Sequence, residues 1–196
     1  MPQSKVAAKF LFYYFAAFAI GTAGTLATSD FHILLPLIIA APLAVVPIYF
    51  DSIAKSRKLA PEIAGTLAIT SSAAVIALAG GWSIAASGAI WLILICRWIP
   101  SILYVRSRLL LEKGKPYRVS IPVIMSAAAV VVAVALAHYD LAPKLAAFLM
   151  VVLFIRAAIG LSRYSRRRKA KQIGILEVVY GAITVIVVIA GYRFDL

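Results

Sequence analysis

This sequence predicts an all-α, polytopic membrane bundle of about seven transmembrane helices, with the N-terminus in the cytoplasm and the C-terminus outside. Three observations carry that prediction. Of the 196 residues, 64% are hydrophobic and only 14% charged, with a mean hydropathy of +1.00. An ordinary soluble domain is about 45–50% apolar and about 25% charged, so a water-soluble globule is excluded. Seven apolar stretches each approach the roughly 17–25 residues that a helix needs to cross a bilayer. The basic residues between those stretches fall almost entirely on alternate loops.

Residues 10–28 follow Lys5 and Lys9 and resemble a secretory signal, but the run exceeds the roughly 7–15 residues of a signal's apolar core and ends in a poor cleavage site at Ala27-Thr28-Ser29, so it is read as a retained helix. Residues 33–50 form a second helix, made breakable by Pro36, Pro42 and Pro47. The third, 61–78, is dense in small residues (Gly65, Ser71, Ser72, Ala73, Ala74, Ala77) and is suited to close backbone approach. A fourth, 82–104, follows Gly80 and Gly81. The fifth and sixth, 119–137 and 141–161, are separated by a short connection at 138–140. The seventh spans 174–192. Period-2 alternation is absent, which excludes a β-barrel, and in lipid a helix satisfies its backbone within one segment. Residues 1–196 are therefore read as a single integral membrane domain.

Charge sets the orientation. The formal net charge is +13, from 20 Lys+Arg against 7 Asp+Glu. Lys5 and Lys9, then Lys55, Arg57 and Lys58, then Arg106, Arg108, Lys113, Lys115 and Arg118, then Arg163, Arg166, Arg167, Arg168, Lys169 and Lys171 all fall on one side. Only Lys144 and Arg193 fall on the other. Positive residues favour the cytoplasmic face. The run Arg163, Arg166, Arg167, Arg168, Lys169, Lys171 beside a helix end is expected to meet anionic lipid headgroups, or to act only as a topology anchor. Nucleic acid is not an expected partner, because no aromatic interleaving or base-reading module accompanies the charge.

Ionisable groups within a membrane cost about 2.5–3.5 kcal/mol each and are the default functional candidates. Arg97 is the deepest, about 10 Å from the inner boundary at 1.5 Å per residue. Arg156 and Glu177 lie near the inner ends of the sixth and seventh helices, and Glu62 opens the third. Arg97, Ser101, Tyr104 and Arg108 are spaced four, three and four apart and so share one helical face. Two readings are open. In one, this face and Arg156 line a cytoplasm-facing cavity that holds a phosphate or diphosphate by forked hydrogen bonds, with Glu62 and Glu177 orienting the arginines. In the other, Arg97 pairs with Glu62 or Glu177 as structural glue, and Arg156 snorkels to the interface.

No catalytic residue is assigned. There is no aspartate pair of the DxxxD kind to hold Mg²⁺–diphosphate, no serine with a histidine at the same depth, and no phosphate-binding glycine loop. A single cysteine, Cys96, excludes an intrachain disulfide. His32 and His138 are weak metal or haem candidates at the outer boundary, each two residues from an aspartate (Asp30, Asp140). The cofactor is left open.

Several strings carry a resemblance: RWIPSILYVRSR at 97–108 followed by EKG at 112–114, GILEVVYG at 174–181, IYFD at 48–51 with Lys55 and Arg57 after it, and FIRA at 154–157. Together they resemble the YwiC-like family of bacterial integral membrane proteins over roughly residues 36–192. The family in turn looks distantly like the UbiA prenyltransferases. The resemblance implies a common constraint on Arg97, Ser101, Tyr104, Arg106, Arg156 and Glu177. It also implies that this chain lacks an N-terminal segment carrying a His-Gly-Ala-Trp string, which a partner chain would complete.

The leading functional expectation is a non-catalytic subunit or scaffold of a complex in the bacterial inner membrane, with a membrane partner subunit or a second copy of the chain. The alternative is a UbiA-like protein or enzyme that binds a lipid or prenyl diphosphate through Arg97, Ser101, Tyr104, Arg106, Arg108, Arg156, Glu62 and Glu177. A small-solute transporter ranks third, since no matching pair of Gly/Pro-broken halves emerges.

Overall fold

The computed structural model describes residues 2–28, 30–162, 165 and 168–196. Among these residues the chain is all-helical, with seven α-helices: α1 (Pro2–Thr28), α2 (Leu35–Ser52), α3 (Leu59–Ala79), α4 (Ile84–Glu112), α5 (Ser120–His138), α6 (Lys144–Gly160) and α7 (Ala170–Phe194). A 3₁₀ turn, Phe31–Leu34, leads into α2. Among the described residues, five segments are long and apolar enough to cross a membrane: 31–52, 59–79, 84–112, 120–138 and 170–194. This is a multi-pass membrane protein.

Each expected helix is present, and the differences lie at the ends. α4 runs eight residues beyond its apolar stretch, to Glu112. Its extension is held by the Arg108–Glu112 ion pair at i, i+4, 2.6 Å. Leu141 stays outside α6, its N–H donated instead to Leu136 O at 2.9 Å. Pro143 then takes the N-cap position, so the helix opens at Lys144. Gly81, at φ +83°, turns the chain out of α3, and Ser83 caps α4 by accepting from the Ala86 N–H at 3.2 Å.

Consecutive helices pack on one another from α2 to α7, and α4 also touches α6 and α7. α4–α7 thus form a four-helix group, to which the α2–α3 hairpin adds through α3. Lipid tails are as apolar as leucine, so close fit rather than water exclusion holds such helices together. Small residues permit that fit: Ser71, Ala74, Ala133, Ala146 and Ala157 are essentially inaccessible. Several serine and threonine hydroxyls return to carbonyls of their own helix, as Ser71 Oγ does to Ala68 O at 2.6 Å. Trp91 Nε1 donates across to α3, to Leu67 O and Thr70 Oγ1, both at 3.2 Å. α1 makes no extensive contact with the rest, and Phe10, Leu11, Phe12, Tyr14, Phe18 and Ile20 on it are exposed.

The basic loops gather at one end of the bundle. Arg106 Nη2 in α4 donates to Arg57 O in the α2–α3 loop at 2.7 Å. Ser107 Oγ donates to Arg118 O at 3.2 Å, and the Arg168 N–H to Glu112 Oε1 at 3.0 Å. At the opposite end, Trp82 packs on Tyr192 with ring centroids 4.7 Å apart, and Leu145 N–H reaches Leu196 O at 3.2 Å. There α7 passes so close to the α5–α6 turn that a Cβ on Gly191 would lie 2.5 Å from Pro143 Cβ. Pro143 is a rigid ring, so Gly191→Ala is expected to cost about 1–3 kcal/mol through overpacking. Gly181→Ala, which meets nothing within 4 Å, serves as the control in detergent thermal unfolding.

Candidate anion-binding site

At 3.6 residues per turn, Arg97, Ser101, Tyr104 and Arg108 point the same way from α4, and the structure buries all four against α6 and α7. Arg97 is the deepest, 1% exposed. Its Nε donates to Thr184 Oγ1 on α7 at 3.0 Å, and its Nη1 to Ser101 Oγ. Its Nη2 lies 3.7 Å from Glu177 Oε2 and makes no hydrogen bond.

Arg156 comes to the same carboxylate from α6. Its Nη1 donates to Glu177 Oε1 at 2.7 Å, and its Nη2 to Ser101 Oγ at 3.3 Å. Its guanidinium carbon sits 4.4 Å from the ring centroid of Tyr104 and 4.6 Å from that of Tyr180, so the cation is held between two aromatic faces. Arg156 therefore does not snorkel outward. Two arginines share one carboxylate, and Arg156 Nε is buried without a hydrogen-bond partner. Removing charges from water is costly unless each is paired, and here the pairing is two to one.

Tyr104 can take its place because α6 has a glycine beneath it. A Cβ on Gly160 would lie 2.8 Å from Tyr104 Cε2 and closer still to the hydroxyl. Arg108, one turn further along α4, closes the end of α6. Its Nη1 donates to the Gly160 carbonyl and to Ser165 Oγ, and its Nη2 pairs with Glu112. A cation on the last free carbonyls of a helix is favourable both as a cap and against the helix dipole.

Between α4, α6, α7 and the α6–α7 loop lies a cavity of about 500 Å³. Tyr104, Arg108, Arg156, Ser165, Arg168, Glu177 and Tyr180 form its polar wall. Three arginines and one carboxylate, Glu177, stand in that wall, and Arg97 and Glu112 pair with members of it from outside the lining.

The other expected site residues separate from this group. Glu62 does not orient Arg97 or Arg156. It pairs with Arg106, Nε and Nη2 both 2.7 Å from Oε2. The reason is angular: Arg106 is two residues from both Tyr104 and Arg108, about 200° round the helix, and so faces α3. Arg106 and Glu62 border a different recess of about 540 Å³ with Pro47, Asp51 and Arg57. His32 lies 3.8 Å from Asp30, both exposed, and His138 packs edge-on to Tyr139. Among the described residues no three His, Cys, Asp or Glu side chains are grouped to hold a metal. Of the basic run, Arg168, Lys169 and Lys171 are described, whereas Arg163, Arg166 and Arg167 lie outside the described residues.

Sequence reasoning missed Tyr180 and Thr184, which follow Glu177 at i+3 and i+7 and could have been found by extending its helical face. It also missed Gly160, Ser165 and Glu112, whose roles depend on which helices are neighbours.

Residues 2–77 match the model of the family described as YwiC-like protein. No curated protein and no solved structure matches the chain. The match takes in α1, α2 and most of α3. It begins well before Pro36, where the resemblance read from short strings begins. The strings at 97–108, 154–157 and 174–181, and with them the cavity residues, lie outside it.

Proposed function

We propose that this chain is a multi-pass protein of the bacterial cytoplasmic membrane that binds a phosphate-bearing headgroup in the cavity between α4, α6 and α7. The basic end, including Arg168, Lys169 and Lys171, faces the cytoplasm, in keeping with the positive-inside rule. One observation carries the binding assignment: Arg97 and Arg156, nearly inaccessible at 1% and 11% exposure, share the single carboxylate of Glu177. A phosphate supplies the missing negative charge and the planar acceptor pairs that guanidinium groups fit. Binding alone is assigned, with no catalytic step.

The test is thermal unfolding of the purified protein in neutral detergent, titrated with short-chain phosphatidic acid or with phosphatidylcholine. A ligand at about 100 times its Kd stabilises the folded state by about 2.7 kcal/mol. Phosphatidic acid is expected to raise the midpoint, and Arg156→Ala is expected to fold and lose that rise. An equal rise in the variant, or no rise in the wild-type protein, contradicts the proposal.

A second reading, a subunit of a larger membrane complex, is favoured by α1. Its apolar side chains are exposed over most of its length, which leaves a helix face for a partner. A second polypeptide in fixed ratio after mild extraction supports that reading, and a bare chain with an ordered α1 speaks against it.

A further inference from the structure

The shape of the cavity says how its ligand arrives. Its lining sets the guanidinium groups of Arg156 and Arg168 beside the apolar side chains of Val152, Ile155, Ile159 and Leu176. Ser165 and Arg168 stand in the loop at the basic end. Arg156 and Glu177 stand next, Arg156 about 6 Å before the end of α6 at 1.5 Å per residue. Val152 and Ile155 lie deeper on α6, and the α7 wall adds Leu176. Ile155 lines the cavity and is also 48% exposed on the outer surface of the bundle. The cavity wall is therefore continuous with the surface that faces lipid. At this gap α6 contacts α7 less extensively than it contacts α5.

We infer that the ligand is an anionic amphiphile admitted sideways from the bilayer through the α6–α7 seam, with its phosphate at Arg156 and Arg168 and its hydrocarbon chain against Val152, Ile155 and Leu176. This rests on the phosphate-binding assignment above and adds the second half of the ligand. Guanidinium groups at headgroup depth, beside apolar side chains of which Ile155 and Ile159 are exposed, match the polarity of a lipid in the same leaflet. A water-soluble phosphate would have no use for that apolar lining.

The experiment places the full chain in phosphatidylcholine nanodiscs containing phosphatidic acid with a photoactivatable group on its acyl chain, and maps the label by peptide mass spectrometry. In parallel, inorganic pyrophosphate is titrated into the detergent-solubilised protein with thermal unfolding as readout. The expected result is label on Val152, Ile155 or Leu176, lost on adding unlabelled phosphatidic acid, retained on adding phosphatidylcholine, and lost in Arg156→Ala. Label spread over all lipid-facing helices without such competition, while phosphatidic acid still shifts unfolding, overturns the seam and leaves the phosphate assignment standing. A shift by pyrophosphate equal to that by phosphatidic acid, with no competed label, also overturns it, because the anion then enters from water. No response to either phosphate probe overturns both.

Discussion

Glu177→Gln is expected to destabilise the folded protein by about 3–5 kcal/mol, the usual cost of removing one partner from a buried ion pair. The carboxylate is 17% exposed and is the shared counter-ion of Arg97 and Arg156. The amide keeps its size and one acceptor but leaves the buried Arg97 and the part-buried Arg156 without a counter-charge. The arithmetic is asymmetric. Arg97→Met leaves Arg156 and Glu177 matched one to one, and the loss is expected to be the smaller of the two. Glu62→Gln supplies the comparison at the same end of the molecule: Glu62 is 44% exposed and Arg106 36%, and an exposed pair contributes about 0–1 kcal/mol. Thermal unfolding of the three variants in one neutral detergent checks the order. Phosphatidic acid is expected to restore part of the stability lost in Glu177→Gln, since its phosphate replaces the missing charge. A Glu177→Gln midpoint no lower than that of Glu62→Gln contradicts the account.

Gly160→Ala carries the second large effect. The added methyl enters the space of the Tyr104 ring, and that ring is buried, with Arg156 stacked on its face. Either the ring leaves the guanidinium or α6 moves away from α4, at an expected cost of about 1–3 kcal/mol. Because the two residues occupy one site, their substitutions should not add. Tyr104→Ala opens room for the methyl, so the double variant Gly160→Ala/Tyr104→Ala is expected to lose less than the sum of the single losses. Strict additivity in a double-mutant cycle would show that the contact does not matter. The Gly160→Ala protein is also expected to lose its response to phosphatidic acid, since Arg156 is no longer held between Tyr104 and Tyr180.

The helices were largely legible in the sequence because in a membrane the spanning signal is compositional: a run of apolar residues long enough to cross, punctuated by basic loops. What composition could not place was the end of α4. Arg106, Arg108 and Glu112 lie past the apolar run, and it is their side-chain pairing that carries the helix on. The arginine face of α4 was legible from spacing alone, since 97, 101, 104 and 108 fit one helical repeat whatever surrounds them. Arg106 could have been set apart by the same arithmetic. The pairing of charges was not legible. Glu62 and Glu177 are equivalent as sequence, each near the basic end of an apolar helix, and only the packing of α3 on one side of α4 and of α6 and α7 on the other assigns them to different arginines. Gly160 was invisible for the same reason: its role depends on a tyrosine 56 residues away in another helix.

The cavity beside Glu177, with Arg156 and Arg168 in its wall, is proposed to hold an anionic lipid. The most direct measurement is native mass spectrometry of the full chain extracted gently from its own membrane, alongside Arg156→Ala prepared in the same way. A phosphate-bearing lipid of net negative charge is expected to stay on the wild-type protein under activation that strips neutral lipids, and to be lost from the variant. Wild-type protein released bare, or the same lipid retained equally by both, would contradict it.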